Sequence, residues 1–352
     1  MDGKRNSSTC EIIFFHSSPF FSIYFLFEIF LFDIIVLYDI QLLLADYLYQ
    51  QKQEEKPMEF APIIEKVAFN LMKYSATVLP DNAVKAIKTA YEKEKSTTGK
   101  AQLGAIIKNF ESGANKCTPM CQDTGIHIYY VEVGADCPID DLGKIEEALT
   151  NASKKATTEV PMRPNAVDPF GSNSGDNTGR YIPWINWEIV PGKDIKITAF
   201  PKGGGSENMS TVKMLKPGVG LKGVMKEVVD WMISAGGQPC PPTVVGVAVG
   251  GGADIAIKLA KKQLMRPIGE PHPQKEVAEM EKKMLKAINS TGIGPMGLGG
   301  NTTALAVHMD YAMRHPASLP MAIAVQCWAA RQSAAIISAD GKVKYLHHDI
   351  KD

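Results

Sequence analysis

The chain has 352 residues, 45% hydrophobic and 22% charged, the profile of an ordinary globular protein rather than a disordered or fibrous one. Its 38 lysines and arginines are matched by 38 aspartates and glutamates, leaving no basic surplus to neutralise a phosphate backbone, so no nucleic-acid partner is expected. Six cysteines are too few for a disulfide scaffold; a reducing, cytoplasmic compartment is expected, with thiols either inert in the core or used as ligands.

Residues 1–57 stand apart from the rest. From Ile12 to Tyr49 the sequence is dense in aromatic side chains, yet Glu28, Asp33 and Asp39 interrupt every window of the roughly 20 apolar residues that a membrane helix needs. A membrane association is therefore not expected. The segment reads as an N-terminal extension, either packed on the body or lying upstream of the natural start, for which Met58 is the candidate. Residues 58–352 form the expected catalytic body.

In that body, Phe60, Ile63, Ile64, Val67, Phe69 and Leu71 recur with helical spacing, predicting a helix that ends near Tyr74. Asp81 is the expected cap of a second helix running to about Lys95, and a third follows the Ser96–Thr98 punctuation through Phe110. These helices gather no polar chemistry and read as scaffold. The branched and aromatic run at 126–133 predicts a strand, a helix follows from Leu142 to Lys155, and WINWEIV and KDIKITAF predict strands around the turn PGKD. The loop PMRPNAVDPFGSNSGDNTG is long for a connector, which favours a binding use. Further on, a helix from Leu221 to Ser234, the apolar strand VVGVAV, the helix DIAIKLAKKQL, a charged helix from Gln274 to Ile288, the apolar run LPMAIAVQC and a hairpin closed by Asp340 and Gly341 are expected. Strands and helices alternate without a clean βαβ repeat, so the fold class is α+β, an irregular α/β body with mixed, largely antiparallel strands.

Three glycine-rich stretches, PKGGGSEN, AVGGGAD and GLGGNTT, bring backbone N–H groups into the open; both tight turns and the cradling of a carboxylate or phosphate fit them. None has the lysine of a nucleotide triphosphatase loop, and the spacing of AVGGGAD is wrong for a dinucleotide fold. Cys117 and Cys121 are spaced as C-x3-C but lack the third cysteine of a radical-type cluster. Cys121 in CQDTG, Cys240 in QPCPP and Cys327 at the end of an apolar run have neighbours that fix the backbone and leave sulfur open to an inorganic partner. Three such thiols would leave one iron of a [4Fe–4S] cube without a protein ligand, and Arg163, Arg180 and Arg314 lie in loops that could balance the negative charge of such a site.

Taken together, KCTPMCQDTG, MRPNAVDP, GDNTG, PKGGGSEN, GGQPCPP and RHPASLPMAIAVQC resemble the iron–sulfur domain of class I fumarate hydratases and L(+)-tartrate dehydratases, most closely their separately encoded alpha subunit. The likeness runs from about Met58 to the C-terminus. It implies that Cys121, Cys240 and Cys327 bind a [4Fe–4S] cluster whose fourth iron holds a 2-hydroxy acid. It implies that Gln122 and Asp123 contact substrate, with Asp123 moving a proton or orienting the hydroxyl. Arg163 would clamp a substrate carboxylate, assisted by the Gly203, Gly204 and Gly205 backbone, and His315 would stand beside the substrate as a catalytic group. The family's further domain has no counterpart after Lys344, so the resemblance implies a separate beta subunit and an α2β2 assembly. The expected reaction is reversible hydration of fumarate to malate, with L(+)-tartrate dehydration as the alternative and a non-catalytic structural or regulatory iron–sulfur subunit as a third reading.

Overall fold

The computed structural model describes residues 37–47, 58–139 and 141–347. The chain divides into two units, Met1–Pro57 and Met58–Asp352. In the first, residues 37–47 are helical (α1), and the remainder of the expected extension lies outside the described residues. Among the described residues, no helix is long and apolar enough to cross a membrane.

The second unit opens with three helices, α2 (Phe60–Thr77), α3 (Asp81–Lys93) and α4 (Thr97–Lys116). Ser96 caps α4, its Oγ accepting from the Gly99 N–H at 3.1 Å. Asp81 is the first residue of α3 and makes no capping bond; Pro80 holds the cap position, and the acidic side chain serves the positive end of the helix instead.

Two sheets follow. The first has the order β2-β1-β3-β8-β9, with β1 Ile128–Gly134, β2 Trp184–Val190, β3 Ile195–Ala199, β8 Ser333–Ile337 and β9 Val343–Tyr345. The second has the order β4-β7-β5-β6, with β4 Thr211–Leu215, β5 Thr243–Gly251, β6 Ala304–Arg314 and β7 Leu319–Gln326. Most pairings are antiparallel, as expected. Two are parallel, β1 with β2 and β5 with β6, and both use helical crossovers: α5 (Leu142–Glu159) in the first, α8 (Ala253–Gln263) and α9 (Lys275–Asn289) in the second. The body thus holds two βαβ-type units that the sequence pattern does not announce.

Helices α2 and α5 cover one face of the first sheet, where Ile64, Leu71, Leu149, Tyr129 and Ile197 are buried together. Helices α7 (Gly220–Ala235) and α9 cover one face of the second through Val228, Met232, Met284 and Ile323. Between the sheets, Tyr130 and Phe200 meet Ala248, Ala324 and the α8 residues Ala256 and Ala260. Small residues are needed there because backbone approaches backbone: a Cβ added at Gly246 of β5 would lie 2.1 Å from the Ala260 carbonyl oxygen of α8.

Candidate active site

Strand polarity gathers the chemistry-bearing loops at one end of the molecule. The Cys121–Asp123 turn leads into β1, and the 202–207 loop leaves β3, whose Ala199 pairs with Tyr129. The crossover Cys327–Gln332 leads into β8, whose Ser333 pairs with Ala199. Cys240 lies just before β5 and Cys327 just after β7, and the register Val244↔Gln326 brings those ends side by side. The Trp328 N–H donates to the Cys240 carbonyl at 3.1 Å, tying the two cysteine-bearing segments directly.

Cys121, Cys240 and Cys327 all pack against one apolar bowl formed by Leu79, Ile87, Phe110, Met120, Trp328 and Ala329, contributed by α3, α4, the connections flanking them and the crossover. Each thiol is half-buried, whereas Cys117 is exposed. Burial raises the Cys240 thiol above its ordinary range, and Cys327, Cys121 and Asp123 push it further in that direction. Cys240 sits at φ 53°, a left-handed conformation that a residue with a Cβ holds only where its surroundings impose it. Among the described residues, no three or more His, Cys, Asp or Glu side chains converge closely enough to bind a single metal ion. A cube presents its corners well apart, so three separated thiols in a shared apolar bowl are a donor set that fits such a cluster in chemistry and burial.

Asp123 is the polar centre. Its Oδ1 accepts from the Gly125 N–H at 3.0 Å and its Oδ2 from the Gly204 N–H at 2.8 Å, joining the CQDTG turn to the PKGGGSEN loop across 81 positions. Arg163 is placed beside this turn by its backbone: its carbonyl accepts from Thr124 Oγ1 at 2.9 Å and from Asn177 Nδ2 at 3.1 Å. The side chains of Gln122 and Arg163 and the Gly204 and Gly205 backbone face solvent, while Gly203 is buried. Lys202 anchors the glycine loop from beneath, its Nζ donating to Ser206 Oγ at 2.6 Å and pairing with Glu207 at 3.4 Å. Burial pulls this ammonium down to about 8 against the opposing pull of Glu207 and Cys327.

The other expectations divide. His315 follows β6, at the opposite end of β7 from Cys327; eight strand residues separate them, or roughly 25 Å. This chain's own fold therefore does not bring His315 to the thiols. Arg314 turns its Nη1 onto the carbonyls of His315, Pro316 and Ser318 in the same distant turn, and Arg180 stacks on Tyr181. AVGGGAD is a close backbone crossing: Gly250 has φ 96°, and a Cβ there would lie 1.9 Å from the Ala312 carbonyl oxygen. In GLGGNTT an anion is already supplied by the protein, since the Asn301 N–H donates to both carboxylate oxygens of Glu94 at 3.0 and 2.9 Å. Burial alone would raise that carboxyl, but the N–H groups of Ser96, Asn301 and Lys95 outweigh it and hold it below the usual range. PKGGGSEN is the stretch tied to the Asp123 turn, through the Gly204 N–H.

One residue that sequence reasoning missed is Arg331, 1% exposed, whose Nη1 donates to the Asp123 carbonyl. The available signal was a lone charged residue inside the largely apolar stretch from Met321 to Ile337.

A two-sheet α+β body with thiols, an aspartate and a glycine loop at one edge agrees with a match over residues 65–336 to the family model described as Fumarate hydratase (Fumerase), a hydro-lyase family. The chain belongs to the class I fumarate hydratase and tartrate dehydratase alpha-subunit family. It is 47% identical over 283 residues to a Methanocaldococcus jannaschii protein provisionally named L(+)-tartrate dehydratase subunit alpha, covering 80% of this chain and 99% of that relative. It is 35% identical over 287 residues to the L(+)-tartrate dehydratase subunit alpha of Escherichia coli O157:H7, and 34% identical over the same length to that of strain K12, covering 81% of this chain and 94% of each relative.

Proposed function

We propose that this chain is the alpha subunit of a hydro-lyase that, with a separate beta subunit, removes water from a small hydroxy dicarboxylic acid. The supporting observation is the meeting of Cys121, Cys240 and Cys327 with Asp123 and the Gly203–Gly205 loop at one end of both sheets. The relatives carry the tartrate name, which favours L(+)-tartrate as the substrate over the fumarate–malate pair expected from the sequence. Fumarate hydration is kept as the second reading because the matching family model bears that description.

Cys121, Cys240 and Cys327 would hold a [4Fe–4S] cluster, which when bound supplies a Lewis acid for the departing hydroxyl. This chain's residues do the rest of the binding. The exposed Arg163 guanidinium meets a carboxylate with paired donors, and the Gly204 and Gly205 amides add uncharged donors to the same acid. Asp123, fixed by two backbone N–H groups, presents a carboxylate whose position is set before substrate arrives, the geometry that orienting a hydroxyl or relaying its proton requires. Gln122 and Arg163 lie on the open side of the site, where a second subunit would close over the acid and supply the base that removes the proton from the neighbouring carbon. A structural or regulatory role is disfavoured by the presence of both the thiol set and the Asp123 network.

Anaerobic reconstitution of the full chain with iron, sulfide and its cognate beta subunit, followed by parallel assays on L(+)-tartrate, malate and fumarate, tests this reading. Water elimination from tartrate at least ~10-fold more efficient than from malate is the expected result. The reverse ratio restores fumarate, and inactivity on all three acids with the cluster in place rejects the enzyme reading.

A further inference from the structure

Arg331 belongs to the crossover between β7 and β8, four positions after Cys327, and is among the largest fully buried side chains of the protein. Placing a guanidinium in such a setting is costly unless its donors and charge are used. Among the described residues no carboxylate forms an ion pair with it, and its Nε has no hydrogen-bond partner. Its neighbour His127, fully buried, is driven down to about 3 by burial and by Arg331 itself, so its ring stays neutral and leaves the guanidinium as the charged member of the pair. What Arg331 does touch is the site: Nη1 donates to the Asp123 carbonyl. A Cβ added at Gly203 would lie 2.9 Å from Arg331 Nη2 and 3.1 Å from Asp123 Oδ2, so the guanidinium, the carboxylate and the Gly203 backbone crowd a single point.

Three segments remote in sequence therefore meet at this side chain: the Asp123 turn, the glycine loop and the Cys327 crossover. We propose that Arg331 is a positioning residue, a buried guanidinium that sets the register of the Asp123 turn against the Gly203–Gly205 loop. Its fixed charge stands beneath a site built to collect negative charge from thiolates and a dicarboxylic acid. The consequence for turnover rests on the function proposed above; the tethering of the two loops does not.

The test compares Arg331→Met and Arg331→Lys with the wild-type full chain. Amide exchange measured on the metal-free protein should rise about tenfold or more at the peptides holding Gly125 and Gly204 in Arg331→Met, the effect of losing one buried polar tether. Peptides from β5 and β7 should change less than about twofold. Arg331→Lys keeps the charge and one donor, guards against a misfolded methionine variant, and should show the same pattern at smaller size. Unchanged exchange at both turns overturns the proposal, as does a uniform rise through the strands, which would make Arg331 a general core prop.

In the reconstituted complex with its beta subunit, Arg331→Lys should lower kcat about tenfold while KM for the acid moves less than about threefold, because Arg331 reaches Asp123 and not the substrate. A rise in KM with kcat preserved would make it a substrate-binding group and remove the positioning role. Should the wild-type complex prove inactive on every acid, the functional reading fails while the exchange comparison still decides the tether.

Discussion

Gly203 has an ordinary extended backbone, φ −67° and ψ 141°, so its lack of a side chain answers a need for space rather than for a left-handed turn. An alanine there would press on Arg331 Nη2 and Asp123 Oδ2, and neither can retreat, one being buried and the other held by two N–H groups. Gly203→Ala is expected to lose about 1–3 kcal/mol of stability and to reduce activity by a larger factor, measured as urea midpoint and kcat/KM. Gly218→Ala, with nothing within 4 Å of the added carbon, should leave both unchanged and serves as the control. Serine in place of Cys121, Cys240 or Cys327 should abolish the visible absorbance of a reconstituted cluster, while Cys117→Ser, at an exposed helix end, should not. Equal loss from all four would reject the ligand set. Much of this site was legible because its residues sit in short, unusual strings such as CQDTG, QPCPP and KGGGSEN. Arg331 was not, because a single arginine outside any such string carries no local pattern, and only the meeting of three distant segments gives it a task.

The elements with strong periodicity were the readable ones. The strand at Trp184–Val190 and the helix starting at Leu142 fall where their apolar spacing puts them. The hairpin closed at Asp340 and Gly341 pairs Ile337 with Val343. Strand β4, with its alternating half-exposed residues, and the four-residue helix α6 (Gly204–Glu207) were invisible, since each draws its stability from neighbours rather than from its own sequence. The two parallel pairings were hidden for a related reason: partners such as Thr243 and Ala304 lie far apart in the chain, with helices between them. Tight packing of those helices makes a sharp prediction. In Gly246→Ala the new methyl meets the Ala260 backbone oxygen, which cannot rotate away, so α8 must shift as a body from β5. A loss of about 3 kcal/mol is expected from the urea midpoint; a change under about 0.5 kcal/mol would mean that α8 rides loosely on the sheet.

At the scale of the whole molecule, two buried histidines make folding sensitive to acid. His308 lies on β6 between α8 and α9, with Nδ1 3.1 Å from the Gln263 carbonyl. Burial lowers it from 6.5 to about 4, and Arg266 adds to the fall, opposed by the Gln263 carbonyl and Glu281. Glu281 is itself committed, pairing with Arg266 and accepting the Met309 N–H at 2.7 Å, and is therefore poorly placed to receive an imidazolium. His127 repeats the pattern at the entry to β1, in the other sheet. For His308 the folded state takes up its proton only near pH 4, whereas the unfolded chain does so near 6.5. Between those values the unfolded state binds more protons, so stability declines as pH falls through the window and is unaffected by this group above it. For His308 alone the decline amounts to about 3 kcal/mol. Urea midpoints of the metal-free chain should therefore drop steadily from pH 7 to pH 4, and His308→Gln, which keeps a donor for Gln263 without a titrating ring, should show a shallower slope. Parallel slopes for wild type and variant would place the acid sensitivity elsewhere, with His127 as the next group to replace.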